Sequence, residues 1–229
     1  MASFRHPDRG YVFVVTYGRS GSTLIQSLLN TIPGYLIRGE NNNALFGLYK
    51  SWRALSRSPD IARMRHEASP SGPEHPWFGA EGIDTDAYRD ALCAGFAQHV
   101  LRPPPETQVC GFKEIRTMSD PKAFAGFMGF LRDGFPQARF VFNTRNADAV
   151  SRSSWWRKHP PDDVKAMVAS ADHLFAEYVA ANAAHSVMLC YDDYTKDHTA
   201  LEPLFTMLGD RPAEGALSRV MATRLTHAT

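Results

Sequence analysis

The most regular feature of the chain is an unbroken apolar run, Tyr11-Val-Phe-Val-Val-Thr16, bounded by Gly10 and Gly18. A short run rich in β-branched and aromatic side chains and closed by glycines predicts a strand buried on both faces. Residues 22–30 follow with Leu24, Ile25, Leu28 and Leu29 at helical spacing, behind a Ser/Thr start and ahead of Pro33-Gly34, which predicts a helix. Apolar runs at 109–112, 139–143 and 186–191 predict further strands. Helices are expected over 84–101, 121–133, 146–157, 163–184 and 195–208, with a shorter one at 41–49. Strands alternating with helices predict an α/β fold, a parallel sheet flanked by helices on both faces in a single domain over 1–229. The stretch 56–82 breaks the pattern with four prolines and Ser69-Pro-Ser-Gly-Pro73, and predicts a long mobile surface loop.

Composition narrows this picture without changing it. A chain of 229 residues with 44% hydrophobic and 21% charged residues is long enough for one sizeable core, which excludes disorder of the whole chain. Lys and Arg number 25 against 24 Asp and Glu, a formal charge of +1, so no global field draws the protein to nucleic acid or an anionic membrane. Any anion site must be local. Cys93, Cys110 and Cys190 are odd in number and widely spaced, as expected of small core residues in a reducing compartment rather than a disulfide framework or zinc site. The start, MASFRHPDRG, has no apolar segment behind its charges. The expectation is a cytoplasmic protein with no signal peptide and no stable membrane insertion.

The chemistry begins at Tyr17-Gly18-Arg19-Ser20-Gly21-Ser22-Thr23, which joins the first strand to a helix N-terminus. Gly18 and Gly21 let the backbone close around a ligand, the first helical N–H groups lack internal partners, and Ser22 and Thr23 add hydroxyl donors, with Ser20 in the loop also expected to bind the ligand. This is a phosphate cradle, with Arg19 as its cation. It departs from the nucleoside triphosphatase loop, because only two residues separate the glycines and no Lys precedes the Ser/Thr pair.

What remains resembles the 5′-phosphosulfate loop of sulfotransferases that use 3′-phosphoadenosine 5′-phosphosulfate (PAPS), a family with a P-loop-like fold. That family carries a second signature, a strand ending in Arg with Ser eight positions later, which grip the 3′-phosphate. Phe140-Val-Phe-Asn-Thr-Arg145 followed by Ser153 is similar to it, with Ser151 as a rival for the serine role. An Arg fork and a hydroxyl suit phosphate oxygens. The end of the chain, Tyr191-Asp-Asp-Tyr194 and then Leu208-Gly209, is similar to the structural tyrosine-acidic pair and Leu-Gly ending of these enzymes. Together the resemblances run from about residue 11 to 225.

The resemblance implies PAPS as sulfuryl donor, 3′-phosphoadenosine 5′-phosphate (PAP) as product, and no metal. It assigns Arg19 to the leaving oxygen and Lys113, near the end of Val109-Cys-Gly-Phe-Lys-Glu114, to the sulfuryl oxygens. Arg38-Gly39-Glu40 is similar to the Arg-Gly-Glu stretch of tyrosylprotein sulfotransferases, and trehalose-type bacterial enzymes also carry a glutamate base after the first helix. Glu40 is therefore the expected general base and Glu114 the alternative, the histidine of the cytosolic animal enzymes being absent here. Arg116 is a candidate contact to cofactor or an anionic acceptor, Trp155 and Trp156 are candidate pocket walls, and Trp52 is a candidate to stack on adenine. The glycine-rich cofactor-covering segment of the animal enzymes is not expected near His227.

The expected activity is transfer of a sulfuryl group to a hydroxyl acceptor by in-line displacement. The acceptor stays open among small molecules, carbohydrate, lipid and peptide, with Tyr49, Trp52 and Trp77 suggesting an apolar or planar contact; a homodimer is compatible with the sequence. Two rivals stand beside this reading: an ATP-dependent kinase of P-loop ancestry and a non-catalytic nucleotide-binding relative.

Overall fold

The computed structural model describes residues 4–67 and 71–222. Five strands form one parallel sheet: β1 (Tyr11–Thr16), β2 (Tyr35–Arg38), β3 (Val109–Glu114), β4 (Arg139–Thr144) and β5 (Ser186–Cys190), in the order β2-β3-β1-β4-β5. Successive side chains of a strand point to opposite faces, and β1 shows the consequence directly. Tyr11, Phe13 and Val15 enter one apolar cluster with α2 (Ala44–Ser56), α4 (Thr85–Phe96), α5 (Phe124–Gly134) and α7 (Pro161–Ala181). Val12 and Val14 enter another with α1 (Ser22–Leu29), α9 (Glu202–Leu208) and α10 (Ala216–Ala222). The sheet is therefore covered on both faces, as its continuous apolar strands require.

The strand order reverses about β1, with β3 and β2 on one side and β4 and β5 on the other. In open parallel sheets ligands bind beyond the carboxyl ends of the strands at such a switch point. The cradle at 17–21, Glu40, Lys113, Arg145 and Tyr191 all follow or end strands at this edge.

Four of the five strands stand where the apolar runs place them. β2 is a correction: Tyr35–Arg38 is an edge strand of four residues, paired with Tyr35 opposite Val109. The helix expected over 146–157 is a second. α6 (Ala147–Ser151) stops at Arg152, Ser153 is extended, and Ser154 turns left-handed at φ 47° before a 3-10 turn over Ser154–Lys158. The interruption folds both tryptophans back onto the cradle: Trp156 Nε1 donates to Gly18 O at 3.0 Å, and a Cβ on Gly18 would lie 2.6 Å from the Trp155 ring.

The helix expected at 41–49 begins at Ala44, after Asn42 and Asn43 in left-handed backbone, and runs on to Ser56. It carries Tyr49 and Trp52 inward. Tyr49 packs on Phe127 and Phe130, and Trp52 packs on Phe130 while its indole N–H donates to Thr85 O at 3.0 Å. The Tyr49 ring is buried and Trp52 is half-buried against the core, whereas Trp77 is exposed. Within 56–82 the chain forms α3 (Pro59–Glu67), whose Ile61 and Met64 pack on Ala80. Residues 68–70 and the tail beyond 222, with His227, lie outside the described residues. No described helix is long and apolar enough to cross a membrane.

Candidate active site

The cradle is locked from below by buried polar groups. Thr16 Oγ1 lies 2.6 Å from both Asn143 O and Ser20 Oγ; with one proton to give, it donates to the carbonyl and accepts from Ser20. Asn143 donates to Ser20 O at 2.9 Å and accepts from the Tyr194 hydroxyl at 3.0 Å. The Ser20 hydroxyl is thus spent inside the protein and the whole residue is buried, so Ser20 shapes the cradle from within and offers no hydroxyl to a ligand. The hydroxyls of Ser22 and Thr23 have no partner among the described residues, and no side chain caps α1. Gly21 has φ +82°, and a Cβ there would fall 2.1 Å from the Tyr191 ring, so only glycine fits.

Two cations meet over this loop. Arg19 occupies left-handed backbone at φ 69°, a strained setting for a side-chain-bearing residue. Its Nε donates to Ser153 Oγ at 3.0 Å, and its guanidinium lies 5.6 Å from the Trp155 ring centre. Arg145 lays its guanidinium 4.6 Å over Tyr191 and donates from Nη1 to Arg19 O at 3.0 Å, while its Nε is buried without a partner. A buried guanidinium N–H with nothing to bind is costly, and with Nη1 on the Arg19 carbonyl it is Nη2 that is left to meet an anion. Ser153 therefore shares the cation cluster, whereas the Ser151 hydroxyl turns back to Asp148 O at 3.0 Å.

The main chain of Arg145 is fixed by Tyr17, whose hydroxyl accepts from Arg145 N at 2.9 Å. Asp172, on α7, adjoins that hydroxyl. Burial pushes the Asp172 carboxyl up to about 6, with the Tyr17 hydroxyl opposing, and its Oδ1 is buried without a partner. A carboxyl raised on folding contributes stability below its unfolded value and loses it as pH rises through the folded one. Asp172→Asn is accordingly expected to stabilise the protein by about 1 kcal/mol at pH 7.5, after allowance for solvent screening, and to give no gain at pH 4. Urea titrations at the two pH values check it; an equal effect at both would contradict the assignment.

On the other side of β1 lies a carboxylate–cation cluster. Lys113 Nζ, in a side chain only 8% exposed, donates to Glu40 Oε1 at 2.6 Å, and Arg116 Nη1 donates to Glu40 Oε2 at 2.9 Å. Burial pushes the Glu40 carboxyl up, but Lys113 and then Arg116 outweigh it and hold the group below the ordinary carboxylate range. Glu114 is 1% exposed and serves the backbone: it accepts from the N–H groups of Asn41, Asn43, Ile115 and Arg116 at 2.8 to 3.1 Å. The left-handed Asn42-Asn43 pair forms the anion-binding turn that receives it. Glu114 thereby ties the Glu40 loop to β3, a role that sequence reasoning missed and for which the Asn-Asn pair was the available signal. Glu114→Gln is expected to cost about 2–4 kcal/mol, because one amide oxygen cannot replace a carboxylate accepting four N–H groups. Unchanged stability in chemical denaturation would refute this role.

The structure thus gathers Gly18, Arg19, Gly21, Ser22, Thr23, Arg145 and Ser153 about the cradle, and Glu40, Lys113 and Arg116 at the adjoining strand ends. The two groups adjoin because β3 pairs directly with β1, Val14 opposite Lys113. Among the described residues no three His, Cys, Asp or Glu side chains are grouped to hold a metal ion.

Comparison with solved structures supports the fold. The sulfotransferase domain from the Synechococcus PCC 7002 olefin synthase aligns with TM-score 0.60 at 18% identity, over 97% of this chain and 81% of that one. The sulfotransferase domain from the curacin biosynthetic pathway aligns with TM-score 0.53 at 16% identity, over 96% and 80%. No curated protein matches significantly. The sulfotransferase family model matches residues 11–209, from the first residue of β1 to the glycine that closes α9. With that match over most of its length, and a glycine loop, a cation pair and a carboxylate–lysine cluster on one sheet edge, the chain belongs to the sulfotransferase family.

Proposed function

We propose that the protein transfers the sulfuryl group of PAPS to a hydroxyl acceptor, with Glu40 as general base. The observation that carries the reading is Arg145: a guanidinium stacked on Tyr191, braced on the Arg19 carbonyl, with a buried Nε that lacks a partner. Such a group beside a capless helix N-terminus and free hydroxyls suits a ligand with more than one phosphate.

The 5′-phosphate would be held by the backbone of 18–23 and the hydroxyls of Ser22 and Thr23, and the 3′-phosphate by Arg145 and Ser153. When bound, the donor supplies an electrophilic sulfur, to which the acceptor oxygen bonds as the bond from sulfur to the bridging phosphate oxygen breaks. Arg19 neutralises the charge that develops on that leaving oxygen. Lys113 does the same for the sulfuryl oxygens, and Glu40 takes the hydroxyl proton. Glu40 is preferred to Glu114 because it is 31% exposed and holds its partners through side chains, whereas Glu114 is buried and saturated by backbone.

Arg145→Ala tests the reading. It is expected to weaken PAP about 100-fold and ADP less than threefold, since a charge-assisted two-pronged phosphate contact is worth roughly 3 kcal/mol. Equal weakening of both nucleotides in calorimetric titrations would remove the 3′-phosphate assignment.

A further inference from the structure

Lys113 and Glu40 are assigned different tasks, yet in this structure each occupies the other. A base needs a free lone pair aimed at the proton it will take. Each Glu40 oxygen has one of its two lone pairs taken by a cation, Oε1 by Lys113 at 2.6 Å and Oε2 by Arg116 at 2.9 Å, and two paired positive charges make the carboxylate a poorer proton acceptor. The two cations are not equivalent. Arg116 stands at the rim, 47% exposed, and divides the same Nη1 between Glu40 and Glu114. Lys113 is nearly buried, and among the described residues Glu40 is its one side-chain partner. An ammonium carries three donors, and burying it with one of them used leaves it responsive to a second anion. Glu40 lies beyond the end of β2, in a segment without regular structure, so separation of the pair disturbs no ladder.

We infer that the Lys113–Glu40 pair is a latch on the base, opened by the donor: a sulfuryl group arriving at the end of β3 competes for the Lys113 ammonium and frees Glu40 Oε1 to receive the acceptor's proton. Arg116 keeps Oε2 and so retains the orientation of the carboxylate. The device couples donor binding to base activation, and it keeps Glu40 from acting on water or acceptor while the donor is absent. The inference rests on the PAPS reading above and adds regulation to that site.

The latch has a consequence at equilibrium. PAPS must break the ion pair to bind, whereas PAP, which has no sulfuryl group, need not. Removing the Glu40 charge should therefore tighten PAPS selectively. The experiment measures PAPS and PAP dissociation constants without acceptor for the wild type, Glu40→Gln, Lys113→Met and the double variant, with Glu40→Ala as a second probe. The expected result is a PAPS-to-PAP affinity ratio that rises roughly tenfold in Glu40→Gln, the worth of one charged hydrogen bond, and does not rise when Lys113 is already Met. An unchanged ratio in Glu40→Gln and Glu40→Ala overturns the latch. So does an equal rise in both backgrounds, because that result means direct repulsion between Glu40 and the sulfuryl group. If the wild type binds neither nucleotide, the PAPS reading itself fails, whereas normal PAP binding with no ratio change refutes the latch alone.

Discussion

Glu40→Gln is expected to lower kcat by about 10²- to 10⁴-fold, the usual contribution of a positioned general base, while PAP binding survives. The amide keeps the shape of the side chain and a hydrogen-bond acceptor for Lys113 or Arg116, so the fold and the Glu114 anchoring of its loop are preserved. What it loses is the capacity to take a proton. Because Lys113 and Arg116 hold the wild-type carboxyl below its ordinary value, the free enzyme keeps Glu40 ionised through the neutral range. The acid limb of kcat/KM assigned to this residue should therefore fall below pH 4.5, and Glu40→Gln should abolish it. A variant retaining more than about a tenth of the wild-type rate would move the base elsewhere.

Arg19→Ala is the second large effect, expected to lower kcat by about 10²- to 10³-fold with a smaller change in donor affinity, as for other groups aimed at developing charge. Its geometry supports a specific purpose: the chain accepts a left-handed backbone at a residue with a side chain, and braces the guanidinium with Ser153 and Trp155. Arg19→Gly supplies the control. Glycine tolerates that backbone, so this variant should be at least as stable as the wild type and just as impaired as Arg19→Ala. A normal rate constant at saturation in either variant would take Arg19 out of the chemistry.

Much of this was legible before the fold was seen, because the legible features are local. A strand buried on both faces must be apolar throughout, so β1, β3, β4 and β5 announce themselves as continuous runs. The edge strand β2 does not, because four residues with Leu36 half-buried and Arg38 exposed give no continuous signal. The cradle was readable as a turn chemistry, but not the path from Arg145 to Ser153 that brings each of them against Arg19. That path is set by Trp155 and Trp156 returning to Gly18, a tertiary contact that overrides the helical pattern. The packing of Trp52 and Tyr49 on Phe130 was hidden for a related reason: an aromatic on a helix looks the same in sequence whether its ring meets nucleotide or core. The clamp on Glu40 was out of reach altogether, since it joins residues 73 and 76 positions apart through the pairing of β2 with β3.

The central claim is a site built for a nucleotide with phosphates at both the 3′ and 5′ positions, and the melting temperature of the purified protein tests it most directly. A ligand that binds only the folded state stabilises it by about 2.7 kcal/mol at a concentration 100 times its dissociation constant, a shift of several degrees for a chain of this size. PAP is predicted to raise the melting temperature by that amount, and ADP, or ATP with Mg²⁺, to leave it nearly unchanged. Stabilisation by ATP with Mg²⁺ and not by PAP would contradict the account and point to a kinase.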